Sequence, residues 1–161
     1  MQHEYAGHLT WNGNLGSGTE TYAGYSREYR VDMSGKASLL GSADAAFRGD
    51  REKHNPEDLL LAALSACHML AYLALCARRG VNVLAYEDNA RGTLSTRADG
   101  SGRFESVELA PVVTIASTSD RALAAELHHT AHEQCFIANS CSVPVTHSAT
   151  ILTAHTAGIH S

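Results

Sequence analysis

Two cysteines in unlike settings offer the most evident chemistry of this sequence. Cys67 lies inside an apolar run that opens with Asn55-Pro56-Glu57-Asp58 and continues through Leu59 to Ala77. Cys135 closes a histidine-rich run, His128-His129-Thr130-Ala131-His132-Glu133-Gln134-Cys135. A thiol held mid-helix in a core is a protected nucleophile. A second thiol at the end of another helix is a fitting partner for it. The pair points to thiol–disulfide chemistry.

Only the thiolate attacks, and an apolar helix raises a thiol pKa, so a reactive Cys67 needs a cation beside it. Arg27, Arg30, Arg48 and Arg51, all in the N-terminal part, are the candidates. Glu57 precedes Cys67 by ten residues on the same helix, which at the helical rise separates their backbones by about 15 Å. Glu57 suits the positive end of the helix dipole. Alternatively, two such helices crossing antiparallel in a symmetric dimer bring it to Cys67 of the partner subunit. Cys135 follows a helix, and the negative helix end disfavours a thiolate there, so it suits the resolving role. Cys76 and Cys141 read as packing residues, with a spare thiol as the alternative for Cys141, which lies close to Cys135 in sequence. A metal site is the alternative for the second run. His128, His132 and Cys135 fall on one helical face, with His129 or His68 as a fourth ligand, a plausible zinc set.

These residues need elements to hold them. Residues 5–11 read as a strand, and Gly13, Gly16 and Gly18 mark a loop. Residues 19–33, with Tyr22, Tyr25, Tyr29 and Val31, read as one or two strands, and 34–54 as a long loop. Asn55 caps the central helix, Pro56 suits its first turn, and Arg78-Arg79-Gly80 ends it. Residues 81–96 and 104–117 read as a hairpin across Ala98-Asp99-Gly100-Ser101-Gly102. Ser119-Asp120 caps a second helix to about Gln134, and 143–153 form a last strand. The order is β-β(-β)-α-β-β-α-β, an α+β fold with mainly antiparallel pairing.

The chain of 161 residues is read as one domain, 1–161, with one core. Its apolar share of 44% and charged share of 18% suit a globular protein. The net charge of −5 and the lack of a basic run speak against nucleic acid. No signal-like segment opens the sequence, so the expected location is the cytoplasm, where thiols stay reduced unless they cycle. Residues 59–77 have roughly the length of a membrane span. A helix apolar on all sides is instead expected at the buried centre of a soluble protein or dimer.

Asn55-Pro56-Glu57, Leu59-Leu60 and Ser65-Ala66-Cys67 together resemble the OsmC/Ohr family of organic hydroperoxide reductases. So do Ala131-His132-Glu133-Gln134-Cys135-Phe136-Ile137-Ala138-Asn139-Ser140 and the following Pro144-Val145. The stretch Gly41 to Asp50 resembles the OsmC-like branch. The resemblance implies an intertwined homodimer, with antiparallel sheets wrapped around two central helices. It implies a peroxidase with no metal or organic cofactor: Cys67 attacks the peroxide and becomes a sulfenic acid, Cys135 condenses with it to a disulfide, and a dithiol, such as a lipoyl group on a protein, restores both. Glu57 and an arginine poise the thiolate; Arg27, in Tyr25-Ser26-Arg27-Glu28, is the first choice and Arg48 the second. The chain departs from the family in having Phe136-Ile137 in place of proline after the second cysteine, and His68 where an aromatic residue often follows the first. A non-catalytic member that binds apolar ligands or senses oxidants is the other outcome this resemblance allows.

Overall fold

In the computed structural model, which describes residues 1–154, the helix expected after Asn55 runs over Pro56–Arg79 (α1). Asn55 and Asp58 cap it reciprocally. The Asn55 Oδ1 accepts the Asp58 N–H at 2.8 Å, and the Asp58 carboxylate accepts the Asn55 N–H at 3.2 Å, the capping-box arrangement. Gly80, at φ 75°, stops the helix, and the Val81 N–H returns to the Cys76 carbonyl at 2.9 Å, a Schellman closure. By length and composition α1 could cross a membrane. Its buried side chains are Leu64, His68, Tyr72 and Cys76, every fourth residue, a single stripe. Burial on all sides is therefore not found within one chain: Leu70, on another face, is 62% exposed.

The chain divides into two compact units, Met1–Leu60 and Leu61–Ser161. In the first, β1 (His8–Trp11), β2 (Tyr29–Asp32) and β3 (Leu39–Gly41) form an antiparallel sheet in that order. The strand expected over 19–33 shrinks to β2. Local turns take the preceding residues: the Asn14 carboxamide oxygen accepts the Gly16 and Gly18 N–H groups, and the Gly24 N–H bonds the Thr21 carbonyl. The loop expected over 34–54 contains β3 and a 3-10 turn, Ala45–Phe47, capped by the Asp44 carboxylate. A three-residue strand is too short to show alternation.

In the second unit the expected hairpin is present, but each arm is broken in two. The pieces are β4 (Val83–Asp88), β5 (Arg91–Thr96), β6 (Gly102–Leu109) and β7 (Pro111–Ile115). Asp88 fixes the break: its carboxylate accepts the Ala110 N–H at 2.8 Å and the Ser65 hydroxyl at 2.5 Å. α2 (Arg121–Glu133) starts at Asp120 as expected, with the carboxylate accepting the Ala122 and Leu123 N–H groups. A short helix not foreseen, α3 (Phe136–Asn139), follows. The last strand splits into β8 (Val145–His147) and β9 (Thr150–Thr153). The sheets are β4-β7-β9 and β5-β6-β8. The expectation of antiparallel sheets needs correction here. β8 pairs parallel with β6, and β9 parallel with β7, because α2 and α3 provide the crossover that parallel neighbours require.

The buried stripe of α1 meets α2 through an aromatic stack. The Tyr72 hydroxyl donates to the Ala124 carbonyl at 3.0 Å, and the His128 ring lies 3.8 Å from the Tyr72 ring, nearly parallel. His68 Nε2 and His128 Nδ1 share a hydrogen bond of 3.0 Å, and His147 stands beside both rings. Burial, then the neighbouring His147 and His132, pull the His68 pKa down to about 4. Burial, then His68 and His147, pull that of His128 down to about 3. Both rings are thus neutral in the native state. An unfolded chain takes protons on both below pH about 6.5 while the native chain does not, so stability is full above that pH and falls as pH drops. We expect urea unfolding to show a loss of about 1.4 kcal/mol per pH unit for each histidine between pH about 6.5 and 4.5. A His68→Leu, His128→Phe double variant should flatten the slope. A wild-type stability that stays level from pH 7 to 5 contradicts this.

Candidate active site

Cys67 precedes the buried His68 by one residue, about 100° around the helix, and so leaves the buried stripe. It is half-buried, on the wall of a largely apolar cavity of about 800 Å³ lined also by Ala63, Leu70, Phe136 and the charged Arg78 and Glu133. Cys135 sits where α2 gives way to α3 and is 1% exposed. The structure brings these two thiols together: they are free thiols, and Cys67 is near enough to act on the ionisation of Cys135 as hydrogen-bond partner and as like charge. Burial is the main cause that raises the Cys135 pKa; the Ala138 N–H offsets it in part, Cys67 adds to the rise, and the Ile137 N–H lowers it. Sequence reasoning placed the disfavoured thiolate at the end of α2. The direction agrees, but the larger cause is burial, and the short α3 turns its N–H groups toward the sulfur.

The remaining cysteines lie elsewhere. Cys76 is buried against Tyr72, and burial raises its pKa. Cys141 is half-buried beyond α3. The zinc alternative finds no geometry. His128 turns to His68, Cys135 turns to Cys67, and His129 makes an exposed pair with Glu133 at 3.3 Å. Among the described residues no three His, Cys, Asp or Glu side chains could hold a metal ion together.

Arg27 and Glu57 share a second cavity, of about 640 Å³, within the first unit. Trp11, Tyr25, Tyr29 and Phe47 line it with them. Arg27 is held firmly. Its two terminal nitrogens donate to the Tyr25 and Tyr22 carbonyls, each at 2.5 Å, and its guanidinium lies over both tyrosine rings, 4.0 and 4.4 Å from their centres, a cation–π arrangement. Trp11 packs edge-on against Tyr25 and donates its Nε1–H to the Ser26 carbonyl at 2.8 Å. The other arginines stand differently: Arg30 pairs with Asp32 at 2.8 Å, Arg48 is an exposed residue at φ 65°, and Arg51 is exposed.

Sequence reasoning missed the aromatic wall around Arg27 and the histidine–tyrosine stack behind Cys67. The cluster Tyr22, Tyr25, Tyr29 around Arg27 was a usable signal; read as strand alternation, it hid the turn that wraps the guanidinium. His68, His128 and His147 are too far apart in sequence to suggest one layer.

The OsmC-like protein family model matches residues 49–148. Comparison with curated proteins gives no match. Among solved structures, an OsmC-like protein of unknown function from Vibrio cholerae is 32% identical over 92% of this chain and 99% of its own, with a TM-score of 0.83. An organic hydroperoxide resistance protein from Elizabethkingia anophelis shares the fold at 19% identity, covering 96% of this chain and all of its own, with a TM-score of 0.66. A second such protein, from Legionella pneumophila, does so at 17% identity, covering 94% and 99%, with a TM-score of 0.65. With its α+β architecture, its mixed sheets and its two principal helices, the chain belongs to the OsmC-like protein family.

Proposed function

We propose that this protein is a thiol-dependent peroxidase that reduces organic hydroperoxides to alcohols in the cytoplasm. The observation that carries this is the pairing of an accessible Cys67, on the wall of a largely apolar cavity, with a buried Cys135 beside it. The hydroperoxide resistance proteins among its structural neighbours lend support. The Cys67 thiolate attacks the distal peroxide oxygen, the O–O bond breaks, and the alkoxide takes up a proton and leaves as alcohol. The sulfenic acid on Cys67 then meets the Cys135 thiol, water departs, and a disulfide forms. A dithiol, a lipoyl group being the suggested form, reduces it by exchange.

Arg27 and Glu57 poise the thiolate in this proposal, and they do so across a homodimer. Their cavity lies in the first unit and the thiols in the second, while ten residues of helix separate Glu57 from Cys67. A second copy would cover the apolar faces that one chain leaves open, Leu70 at 62% and Phe136 at 79% exposure. It would also present its own Arg27 and Glu57 to Cys67.

Cys67→Ser should abolish turnover of cumene hydroperoxide with dihydrolipoamide as reductant. Cys135→Ser should allow one round of oxidation and stop there, with a trappable sulfenic acid on Cys67 by mass spectrometry. Full turnover by Cys67→Ser, with the adduct on Cys135, reverses the roles; no consumption of peroxide by the wild type leaves a ligand-binding or oxidant-sensing protein instead.

Mixing Glu57→Ala subunits with Cys67→Ser subunits tests the shared site. Glu57→Ala alone should be at least about tenfold impaired, the scale of a lost charge at a reacting group. Mixed dimers then carry one site intact at both positions, and part of the activity returns. No recovery on mixing, or a fully active monomer in sedimentation, rules the shared site out.

A further inference from the structure

The two sulfurs of the thiol pair differ in how they can be reached. Cys67 lies on the wall of the cavity of about 800 Å³; Cys135 does not line it, although its chain neighbours Gln134 and Phe136 both do. Cys135 is 1% exposed, where α2 gives way to α3, and the Ala138 and Ile137 N–H groups of α3 bond its sulfur. Thiol–disulfide exchange is a displacement at sulfur: the entering thiolate attacks one sulfur and the other leaves. The entering thiolate approaches along the line of the S–S bond, from the side away from the leaving sulfur. For Cys67 that approach is the side away from Cys135, and the cavity is open to it. For Cys135 the approach runs through the packing that buries it. Burial raises the Cys135 pKa, and a thiol of higher pKa leaves more slowly. Access outweighs this: a reluctant leaving group slows an exchange, whereas a sulfur closed to in-line approach does not exchange.

We propose that the reductant attacks the Cys67 sulfur from the cavity that admits the peroxide, so that the mixed disulfide forms on Cys67 and Cys135 is the first thiol released. The inference rests on the peroxidase reading above and adds the direction of its second half. One thiol of the dithiol gives up its proton, and its thiolate bonds to the Cys67 Sγ while the Cys67–Cys135 bond breaks. Cys135 leaves as a thiolate beside the Ala138 and Ile137 N–H groups and takes up that proton. The second thiol of the reductant, deprotonated in turn, attacks the reductant sulfur held on Cys67. A cyclic disulfide closes, and Cys67 is released and receives the second proton. Two electrons pass from the dithiol to the protein disulfide, and the two thiol protons end on Cys135 and Cys67. Cys67 thus meets both substrates and Cys135 meets neither. The class of reductant follows: a slender dithiol on a largely apolar carrier, able to enter between Ala63, Leu70 and Phe136.

Peptide mapping of the exchange with benzyl mercaptan tests this, since an apolar monothiol has no second thiol with which to resolve the mixed disulfide. The wild-type protein is oxidised to the Cys67–Cys135 disulfide with diamide and freed of the oxidant. It is then mixed with benzyl mercaptan, quenched with acid after successive short intervals, and its free thiols are alkylated with N-ethylmaleimide. Extrapolated to zero time, benzyl adducts on Cys67, with Cys135 alkylated, should exceed adducts on Cys135 at least about tenfold, because access selects the sulfur attacked. Adducts mainly on Cys135, or divided between the two without that excess, overturn the inference. So does a failure of diamide to join the two cysteines. Diamide makes the disulfide without peroxide, so the sulfur attacked is decided by this experiment alone. A wild type that consumes no cumene hydroperoxide sinks the peroxidase reading in a separate measurement, and the two failures are told apart.

Discussion

The rotation of α1 about its own axis decides where its cysteine points, and that rotation is set by contact with α2. Tyr72 donates to the Ala124 carbonyl, His128 stacks on Tyr72, and His68 shares a hydrogen bond with His128. These polar contacts are directional, so they select one angular setting where apolar packing alone tolerates several. With Leu64, His68, Tyr72 and Cys76 turned inward, Cys67 is one step around the helix, at the edge of the buried stripe. There it is open to a cavity on one side and meets Cys135 on the other.

The same setting leaves a face of α1 bare. Small residues, Ala63, Ala66 and Ala74, alternate with the exposed Leu70 along the cavity that holds Cys67. Apolar surface of this kind invites a partner. Arg27, meanwhile, is locked between two tyrosine faces and two carbonyls in the first unit, a fixed positive charge lining a separate cavity. In the mechanism we propose, the cation and the thiol pair are the two halves of a thiolate-activating site, and a symmetric pair of chains is the arrangement that would unite them.

Much of this was legible from residue types at short range. Asn55, Pro56 and the acidic first turn announced α1, Gly80 ended it, and Asp120 opened α2; caps act through local hydrogen bonds, so local sequence reveals them. The hairpin was visible too, because its turn residues are concentrated at 98–102. The breaks in its arms were not, since they depend on Asp88 reaching Ala110 and Ser65, far away in sequence. Parallel pairing of β8 and β9 was hidden for the same reason: pairing direction follows from the crossover, not from the strand's own residues. At the site, Cys67, Cys135 and Glu57 were singled out through spacing and resemblance; the structure brings the two thiols together and leaves Glu57 on the other cavity. Tyr29, Trp11 and the histidine layer escaped because their meaning comes from long-range packing, which gathers aromatic rings beside Arg27 or stacks three imidazoles from three elements.

The most direct measurement is peptide mapping of the wild-type protein after one equivalent of cumene hydroperoxide, with free thiols alkylated and the released alcohol counted. Neighbouring thiols of which one is accessible should yield one alcohol per chain and a Cys67–Cys135 disulfide, with Cys76 and Cys141 still alkylated. Alcohol release without loss of the Cys67 and Cys135 thiols, or a disulfide that joins either of them to another cysteine, contradicts the two-thiol mechanism.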